Sequence, residues 1–579
     1  MPDLKKAPDL KKELAVSIEK ALDGMLSSQE IFSLVEIPPL PSMGDYAFPC
    51  FRLSKLLKKA PDEIAAELSL KINLPSGIEK AVQNGPYLNF FAAKQGIAKH
   101  AIDTALAQKE GFGKNSIGKG QRIMVEYSSP NANKPLHLGH LRNNSIGMAI
   151  ANIAAANGFN AIKANLVNDR GIHICKSMLA YKLFGHNSTP EKEHKKPDHF
   201  VGDYYILYSQ KAGEDPELEK QAYKMLVLWE NGDKATIALW RKITGWAISG
   251  FKETYKAFGS RFDEWFFESH FYNKAGELLE QGKAKGLFKL NEEGALVAIL
   301  EPHGLPNKTV LRADGTSIYI TNDLALTKHK FEKFRLNECL WVVGSEQDLY
   351  LKQLFKIFEL LGFAWAKNCR HLSHGMVNLP EGKMKSREGK VVDADDLIEE
   401  MKQLAGGEIN KRNKKISGKD LEKRSLAIAL AAIKFHLLKV AAQKDLLFNP
   451  AESISFEGET GPYVQYAYAR AKSILAKAKS YKKPKDFSLL SSIEEQNLAK
   501  TIGSFPDAVK KSLEQLSPHI ICQYLIQLAE EFNTFYHKHQ VMQAESGEAK
   551  SQRLALVEAT AIVLKNGLAL LDIETMEKM

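Results

Sequence analysis

The segment that most constrains the fold lies between residues 122 and 158, where a strand-like run leads through a turn into a helix-like run. Arg122–Tyr127 has the character of a buried strand, and Ser145–Asn157 is rich in small apolar residues and is followed by Gly158. The turn between them contains His137-Leu138-Gly139-His140, called the HxGH turn below. Units of strand followed by helix build parallel sheets, so this segment predicts an α/β core.

The HxGH turn is also a candidate phosphate site. A helix N-terminus offers unpaired N–H groups and the positive end of a dipole, both of which suit an anion. Two imidazoles there can donate hydrogen bonds to phosphate oxygens as charge moves in a transition state. Gly139 can let a flat ring lie against bare backbone. Taken alone, the motif also fits two helix-capping or surface histidines.

A second candidate phosphate site is the segment 380–390, called the lysine loop below. Its sequence, Pro-Glu-Gly-Lys-Met-Lys-Ser-Arg-Glu-Gly-Lys, carries four cations and two glycines. Such a loop can close over a triphosphate and neutralise charge on a leaving pyrophosphate. An exposed loop without a ligand is the alternative interpretation, and the HxGH turn some 240 residues upstream favours the functional one.

The remaining pattern predicts three architectural parts. The N-terminal part mixes helices at about 9–26 and 60–72 with a strand at Pro86–Phe91, and a glycine-rich linker follows at Gly111–Gly120. From residue 121 strands and helices alternate, and from about residue 420 the pattern is nearly all helical. Further strand-like runs occur at Thr309–Leu311, Ser317–Ile320 and Leu340–Gly344. Ligand groups in parallel sheets gather at the carboxyl ends of the strands.

Composition narrows the class of protein. A length of 579 residues suggests about three or four domains. No apolar run approaches the roughly 18 residues of a membrane span, and the start of the chain lacks a signal-peptide core. Five cysteines are scattered without a CxxC pair, which argues against structural zinc and a disulfide framework. We therefore expect reduced thiols, a cytoplasmic location and no membrane partner.

The positive charge is concentrated in one part of the chain. The net charge is +10, and residues 401–450 hold 11 Lys/Arg against 4 Asp/Glu. A polyanionic partner fits this distribution. A solvated helix face is the alternative, and charge alone favours it.

The two phosphate motifs together resemble the HIGH and KMSKS signatures of class I aminoacyl-tRNA synthetases. The stretch Ser128-Ser129-Pro130-Asn131 through Lys134-Pro135-Leu136 to His140-Leu141-Arg142 is similar to the version in the arginyl-tRNA synthetase family. Further segments agree with that family, and the resemblance covers essentially the whole chain. These segments lie at residues 262–269, 319–323, 343–347, 454–470 and 563–568.

The resemblance implies a reaction and a layout. The reaction is ATP-dependent activation of arginine, with Mg²⁺, followed by transfer to the 3′ end of tRNA by a monomer. The fold class is a Rossmann-like parallel-sheet catalytic domain between an N-terminal α+β domain and a C-terminal helical bundle. The implied domains are 1–110 for the tRNA elbow, 118–450 for catalysis and 451–579 for the anticodon. Within the second lie an insertion at about 185–290, the lysine loop and a helical junction at about 395–450.

The resemblance also implies site residues, and no metal bound by protein side chains. The implied catalytic residues are Lys134, His137, His140 and Lys383. The implied ATP-binding residues are His137, Leu138, Gly139, His140, Met376, Val377, Lys383, Met384, Lys385 and Ser386. The implied arginine-binding residues are Glu126, Ser129, Asn131, Tyr319, Asp323 and Gln347. The implied tRNA-binding residues are Tyr463, Tyr466, Arg470, Tyr536 and Met579.

Two of these assignments leave alternatives open. The lysine loop has Lys385 and Ser386 where KMSKS has serine and then lysine, so Lys134, Lys383 and Lys385 all remain candidates for neutralising the phosphates. A guanidinium is planar, always charged and presents five donors, so it needs acceptors and a carboxylate such as Tyr319 and Asp323. Those two residues also fit a strand end followed by a helix cap.

The helical tail suggests how an anticodon could be bound. Residues 451–579 have no net positive charge, yet they contain Tyr463, Tyr466, Tyr468, Phe532 and Tyr536. Unpaired bases are bound by stacking and edge hydrogen bonds, so we expect aromatic contacts here and phosphate contacts from the segment 401–450 and the insertion. Burial of these aromatics in a bundle core is the alternative.

Three other functions fit parts of the sequence pattern. A small-molecule nucleotidyltransferase also uses HxGH but does not need a helical tail of about 130 residues. A catalytically silent RNA-binding relative would lose the two signatures, which are both present. A synthetase for another amino acid is the nearest alternative, and Tyr319 with Asp323 argues against it.

Overall fold

The computed structural model describes residues 10–38, 43–75, 77–92, 94–380, 392–412, 416 and 418–579. The helices of this part of the chain are α1 Leu10–Ala21, α2 Ser28–Leu34, α3 Phe51–Leu57, α4 Pro61–Lys71, α5 Lys94–Gln108, α6 Leu138–Ala156, α7 Ile172–Phe184, α8 Pro197–Glu214, α9 Glu217–Glu230, α10 Lys234–Phe258, α11 Gly276–Ala284, α12 Tyr319–Phe334, α13 Asp348–Leu361, α14 Ala394–Arg412, α15 Gly418–Leu438, α16 Pro450–Ser453, α17 Gly461–Ala478, α18 Ile493–Gly503, α19 Phe505–Glu514, α20 His519–Lys538 and α21 Gly547–Leu570. Its strands are β1 Tyr46–Pro49, β2 Ile78–Asn84, β3 Tyr87–Ala92, β4 Arg122–Glu126, β5 Asn160–Val167, β6 Glu264–Phe267, β7 Phe288–Leu290, β8 Leu296–Ala298, β9 Lys308–Leu311, β10 Glu338–Gly344, β11 Cys369–His374, β12 Val377–Asn378 and β13 Leu446–Leu447.

A five-stranded parallel sheet forms the centre of the molecule. Its strand order is β11-β10-β4-β5-β6, and each neighbouring pair is parallel. The chain adds β5 and β6 on one side of β4, then returns to add β10 and β11 on the other. The strand order therefore reverses at β4, and crevices at such points bind ligands in open parallel sheets. The α/β prediction is confirmed.

Helix α6 packs tightly on this sheet because of its small side chains. Fifteen of its residues are buried, and most of them are small or apolar, as in a helix that is enclosed by protein. Gly147 is needed at the closest approach, because a Cβ there would lie 2.2 Å from the ring of Tyr127. This packing fixes the direction in which the start of α6 points.

The described residues bury their apolar side chains in separate cores. One core is confined to the N-terminal part, from Leu14 to Phe90, around the antiparallel sheet β1-β3-β2. The largest core joins the sheet to the C-terminal helices, and it includes buried side chains of α5 such as Ile102. A third core lies under α12 and α13. The boundary that we placed at residue 110 remains a prediction, since α5 packs with the large core.

The structure confirms some local predictions and corrects others. The predicted strand Ser317–Ile320 is wrong, because α12 begins at Tyr319 and only Ser317 makes an isolated bridge, to Leu311. The strand β9 belongs to a small antiparallel sheet, β7-β8-β9, and not to the parallel one. The interval 185–290 contains α8, α9 and α10, but it also contains β6 of the central sheet.

None of the helices in the described ranges is long and apolar enough to cross a membrane.

Candidate active site

A cavity of about 1050 Å³ opens at the carboxyl ends of the central strands. It gathers most of the residues that the sequence pattern singled out, although they are spread over 250 positions. The predicted residues that line it are Glu126, Ser129, Asn131, His137, Leu138, Gly139, His140, Tyr319, Asp323, Gln347, Met376 and Val377. The expected ATP and arginine residues thus share one space.

The HxGH turn forms the N-terminus of α6. His137 is the N-cap residue, and its Nδ1 accepts a hydrogen bond from Gly139 N–H at 3.1 Å. The Nδ1 of His140 accepts from His137 N–H at 3.2 Å. A Cβ at Gly139 would lie 2.9 Å from the His137 ring, so the flat ring that needs this glycine is the imidazole of His137 itself. His137 and His140 therefore both cap the helix and line the cavity.

Both imidazoles are neutral and present a donor to the cavity. Because each Nδ1 accepts a backbone N–H, the proton of each ring lies on Nε2. Burial and the nearby Lys134 ammonium lower the pKa of His137 to about 4. Burial, His137, Lys134 and His374 lower the pKa of His140 well below its usual value. Two Nε2–H groups, on rings with centroids 4.0 Å apart, can therefore donate to one anion.

The described residues on either side of 381–391 lie beside the HxGH turn. Leu138 N–H donates to the carbonyl of Val392 at 2.9 Å, and Ala394 N–H donates to the carbonyl of Leu136 at 3.0 Å. Pro380 and Val392 both line the cavity. Lys383, Met384, Lys385 and Ser386 themselves lie outside the described residues, so their roles stay predictions. Lys134 is half-buried next to the turn and is not part of the cavity wall.

The loop before the HxGH turn has an unusual backbone. Ser128 and Ser129 have φ values of 76° and 48°, a left-handed conformation that costs roughly 1–3 kcal/mol per non-glycine residue. Side chains hold it in place: Asn143 Oδ1 accepts from Ser128 N–H at 2.5 Å, and Asn165 Oδ1 accepts from Ser129 N–H at 3.2 Å. The conformation turns Ser129 and Asn131 toward the cavity.

Arg142 ties α6 to the opposite wall of the cavity. Its guanidinium is fully buried and donates to the carbonyls of Gly375, Met376, Ala442 and Lys444 at 3.1, 2.9, 3.0 and 2.6 Å. The next residue, Asn143, donates to the Val342 carbonyl at 2.6 Å. These bonds fix Met376, a predicted ATP residue, relative to the HxGH turn.

The other end of the cavity is acidic. Burial raises the pKa of Asp323 to about 6, although the Tyr350 hydroxyl donates to its Oδ2 and Lys330 lies nearby. Burial and the Asp323 charge raise the pKa of Glu268 to about 8. Glu268 Oε1 accepts from Asn322 at 3.2 Å, while its Oε2 is buried with no hydrogen-bond partner. Burial disfavours the ionised form of both carboxyl groups, and a nearby cation favours it. The two groups therefore form a suitable site for a cation.

Asp323 is not a helix cap. The helix α12 begins at Tyr319, four residues earlier, and the N-cap position is occupied by Ile318. The carboxylate of Asp323 accepts from the Tyr350 hydroxyl of α13 and faces the cavity. The alternative interpretation of this residue is therefore wrong.

The predicted arginine residue Glu126 is already paired in the described structure. Its Oε2 accepts from Lys330 Nζ at 2.5 Å, and both side chains are almost fully buried. Burial lowers the pKa of Lys330, but Glu126, Cys339 and Asp323 outweigh burial and raise it. The pair lies at the end of β4, and Glu126 forms part of the cavity wall.

Proton release should accompany the binding of a guanidinium in this cavity. With a pKa of about 8, Glu268 is mostly protonated at pH 7, and a bound cation favours its ionised form. We expect arginine binding at pH 7 to release roughly one proton, and its affinity to rise up to tenfold per pH unit between pH 6 and 8. Calorimetry in buffers of different ionisation enthalpy measures the release. Glu268→Gln should remove it, and a buffer-independent heat in the unmodified protein would contradict the assignment.

The predicted tRNA residues of the tail form one cluster on the surface. Arg470 lies over the rings of Tyr466 and Tyr536, with its guanidinium carbon 4.8 and 5.0 Å from their centroids. Asn533 links Arg470 to the Tyr463 hydroxyl through hydrogen bonds of 2.5 and 2.9 Å. We call Tyr463, Tyr466, Arg470, Asn533 and Tyr536 the tail cluster. Met579, the fifth predicted residue, is partly buried against the large core.

Two other tail aromatics do not belong to that surface. Phe532 is fully buried and Tyr468 is 6% exposed, so the expectation that they stack on bases is wrong for both.

In the basic segment 401–450, several cations are paired within the protein: Lys402 with Glu399 and Glu422, Lys411 with Glu408, Arg424 with Asp420, and Lys434 with Asp572.

One group of possible metal ligands occurs among the described residues. Asp198, His199 and Asp395 place ligand atoms within 4.8 Å of one another, and none of the three lines the cavity. The Lys196 ammonium lies between the two carboxylates, 3.1 Å from Asp198 and 2.7 Å from Asp395. The Lys196 side chain thus already supplies a cation to these two carboxylates.

The structure adds site residues that the sequence pattern did not single out. Glu268 follows directly after β6, so its place after a strand was a usable signal. Lys330 lies seven residues after Asp323, which puts both on one face of a helix. No local signal marks Arg142, Asn143 or Tyr350, because their partners lie far away in the sequence.

Comparison with known proteins gives a consistent result over the whole chain. Residues 101–449 match the model of the tRNA synthetases class I (R) catalytic domain, residues 10–92 match an arginyl tRNA synthetase N-terminal domain, and residues 464–579 match the DALR anticodon binding domain. An arginine–tRNA ligase of Treponema denticola is 44% identical over 561 residues, which cover 94% of each chain. One from Borrelia hermsii is 40% identical over 582 residues, covering 99% of each. The structure of Thermus thermophilus arginyl-tRNA synthetase superposes with a TM-score of 0.81 at 30% identity, covering 98% of this chain and all of that one.

Proposed function

The chain belongs to the arginyl-tRNA synthetase family of class I, and we propose that its cavity activates arginine with ATP for transfer to tRNA. The protein is accordingly an arginine–tRNA ligase. The observation that supports the proposed site best is the pairing of two neutral histidine donors at one end of the cavity with two buried carboxyl groups of raised pKa at the other. The first suits phosphate and the second suits a guanidinium.

The proposed first step joins arginine to ATP. A carboxylate oxygen of arginine attacks the α-phosphorus, and the bond from that phosphorus to the β-phosphate oxygen breaks, so pyrophosphate leaves with the electron pair. His137 and His140 donate from Nε2 to the phosphate oxygens as charge shifts during the attack, and Met376 and Val377 bind the nucleotide base. ATP enters as its Mg²⁺ complex, so the magnesium ion belongs to the substrate. In the second step a ribose hydroxyl of tRNA attacks the arginyl carbonyl and AMP leaves.

Arginine recognition is proposed to depend on the acidic end of the cavity. Glu268 and Asp323 accept from the guanidinium, while Ser129, Asn131 and Gln347 contact the rest of the amino acid. Citrulline lacks the charge and ornithine lacks the planar fork of donors, so each leaves buried acceptors poorly satisfied. The same argument excludes a lysine substrate.

The domain layout is proposed from the family membership. Residues 1–110 bind the tRNA elbow, 118–450 carry catalysis and 451–579 bind the anticodon loop, and Lys134, Lys383 and Lys385 are the candidates for neutralising the phosphates. We further propose that the protein acts as a monomer in the cytoplasm. The tail cluster supports the anticodon assignment, because it is a surface of aromatic rings around one planar cation.

Tail-cluster variants should weaken tRNA binding without changing its salt dependence. Tyr536 is 40% exposed, and Tyr536→Ala should lower tRNA affinity by about 1–3 kcal/mol, the range for one base–aromatic stack. Because no cation is removed, the slope of log affinity against log salt should stay the same. Tyr536→Phe is the matched control and should retain most of the affinity. A reduced slope, or an unchanged affinity in Tyr536→Ala, would show that stacking is not the mode of contact.

The function itself is tested by arginine-dependent pyrophosphate exchange and by charging of tRNA. We expect exchange with arginine and ATP, stronger with tRNA present, and esterification of arginine to tRNA. Lysine, citrulline and ornithine serve as controls and should give none. Folded protein that charges tRNA with another amino acid, or with none, would overturn the proposal.

A further inference from the structure

Helix α8 contacts both segments that meet at the HxGH turn, from outside the cavity wall. Residues 136–138 are joined to residues 392–394 by two backbone hydrogen bonds of 2.9 and 3.0 Å and by an isolated antiparallel bridge, together called the backbone pairing below. A Cβ at Gly202 of α8 would lie 2.8 Å from Pro135, which precedes the first segment. The start of α8 reaches the second segment through charged side chains.

A lysine and a histidine at the start of α8 contact two carboxylates at the start of α14. The Lys196 ammonium lies 2.7 Å from Asp395 Oδ2, and His199 Nε2 lies 3.3 Å from an oxygen of each carboxylate. The other carboxylate belongs to Asp393, whose Oδ1 accepts from two backbone N–H groups at the start of α14. Asp393 also makes the backbone bridge to His137. One residue thus joins α8, α14 and the HxGH turn.

A third carboxylate completes this cluster from the protein interior. The Asp198 side chain is fully buried and lies 3.1 Å from the Lys196 ammonium. Gly250 of α10 leaves space for it, since a Cβ there would lie 2.2 Å from the Asp198 carboxylate. The Thr254 hydroxyl accepts from Lys196 at 2.5 Å and donates to Asp395 at 3.2 Å. The α8 cluster is defined as Lys196, Asp198, His199, Asp393 and Asp395.

The carboxylates of the α8 cluster favour the charged forms of the lysine and the histidine. Burial opposes the charge of Lys196, but Asp198 and Asp395 outweigh burial and raise its pKa. Burial also opposes the charge of His199, and the three carboxylates raise its pKa above the usual value. Partly buried ion pairs contribute little net stability, but their geometry is directional, whereas apolar packing is not. The cluster is therefore suited to fixing where α14 begins.

We propose that Lys196 and His199 are positioning residues that hold residues 392–395 against the HxGH turn and thereby fix the position of the His137 ring. This inference rests on the proposed function, which assigns that ring to the phosphates of ATP. The α8 cluster holds the start of α14, the backbone pairing joins that segment to residue 137, and the Nε2–H of His137 points into the cavity from there. A displacement of about 1 Å in such a donor can cost about 100-fold in rate.

Amide hydrogen exchange, followed by mass spectrometry, tests the positioning role without any substrate. In Lys196→Met we expect faster exchange in the peptides that contain the N–H groups of Leu138 and Ala394, because the backbone pairing opens more often. Lys195→Met is the matched control, since Lys195 is 42% exposed and pairs with Asp203 on the surface. It should leave both peptides unchanged. Unchanged exchange of both peptides in folded Lys196→Met would overturn the proposal.

Single-turnover adenylate formation tests the consequence for the reaction. Lys196→Met and His199→Ala should each lower the rate at saturating substrates by roughly 10- to 100-fold, whereas the affinities for ATP and arginine should barely change. His199→Gln keeps a donor for the carboxylates and should restore most of the rate. The His199 side chain is 33% exposed, so its variants serve both measurements if Lys196→Met does not fold.

A double variant shows whether the two helices act through one link. Adding Asp395→Asn to Lys196→Met should cost little more than Lys196→Met alone, because both changes break the same contact. Losses that multiply, or unchanged rates in both Lys196→Met and His199→Ala, would overturn the positioning role. Unmodified protein that forms no arginyl-adenylate would instead overturn the proposed function, and the exchange measurement separates the two failures.

Discussion

His140→Ala is expected to slow adenylate formation by about 10²–10³-fold, the range for losing one preorganised donor to a transition state. The His140 ring is held by the N–H of His137, so its Nε2–H has a fixed direction into the cavity. The loss should appear in the rate of the single-turnover reaction and much less in ATP affinity, because the charge that needs the donor develops during the attack.

The matched control is His303→Ala, which changes an exposed histidine outside the cavity wall. It should leave the rate unchanged. A second expectation concerns pH: since the pKa of His137 is about 4 and that of His140 is also lowered by burial, neither ring should produce an acidic limb near pH 6.5 in the rate. A folded His140→Ala protein with an unchanged rate would remove this histidine from the mechanism.

Asp323→Asn should weaken arginine binding by about 2–4 kcal/mol, because a buried guanidinium loses a charged acceptor. The amide also places an N–H₂ group near the Tyr350 hydroxyl or the guanidinium, where only acceptors are useful. ATP affinity should barely change. Equilibrium binding of arginine and of ATP to the same preparation measures both.

Asp215→Asn is the control for this substitution, since Asp215 is exposed beyond the end of α8. It should change neither affinity. If Asp323→Asn kept the arginine affinity of the unmodified protein, Glu268 alone would have to bind the guanidinium.

The parts of the site that could be predicted are formed by residues that are contiguous in the sequence. The strand β4, the HxGH turn and α6 follow one another, and their apolar and small residues predict a βα unit. Tyr319 and Asp323 were also identified, yet the run Ser-Ile-Tyr-Ile was predicted as a strand. In the fold, Thr321 accepts from Ile318 N–H at 3.2 Å and donates to the Val310 carbonyl, which starts a helix there instead. Such contacts override β-propensity and are not visible in a local pattern.

The parts that could not be predicted depend on partners distant in sequence. Lys330 and Glu126 are 204 residues apart, and the raised pKa of Glu268 comes from burial and from the Asp323 charge. The aromatic tail shows the same limit: composition identified Tyr536 and Phe532 alike, but only the helix packing buries Phe532 and leaves Tyr536 exposed. Residue type indicates what chemistry is available, and tertiary packing decides which residues take part.

The contacts of Arg142 have a consequence for how the protein is made. Its acceptors lie 233 to 302 residues later in the chain. During synthesis, therefore, Arg142 is translated long before the residues whose carbonyls accept its hydrogen bonds. At about 5–20 residues per second, that delay is roughly 15–60 seconds. A nascent chain can form β4 and α6 early, yet the two walls of the cavity cannot be joined until the ribosome has passed residue 444. Ligand-binding competence is therefore acquired late on the ribosome, and a truncated chain that ends before residue 375 lacks all four acceptors of this buried cation.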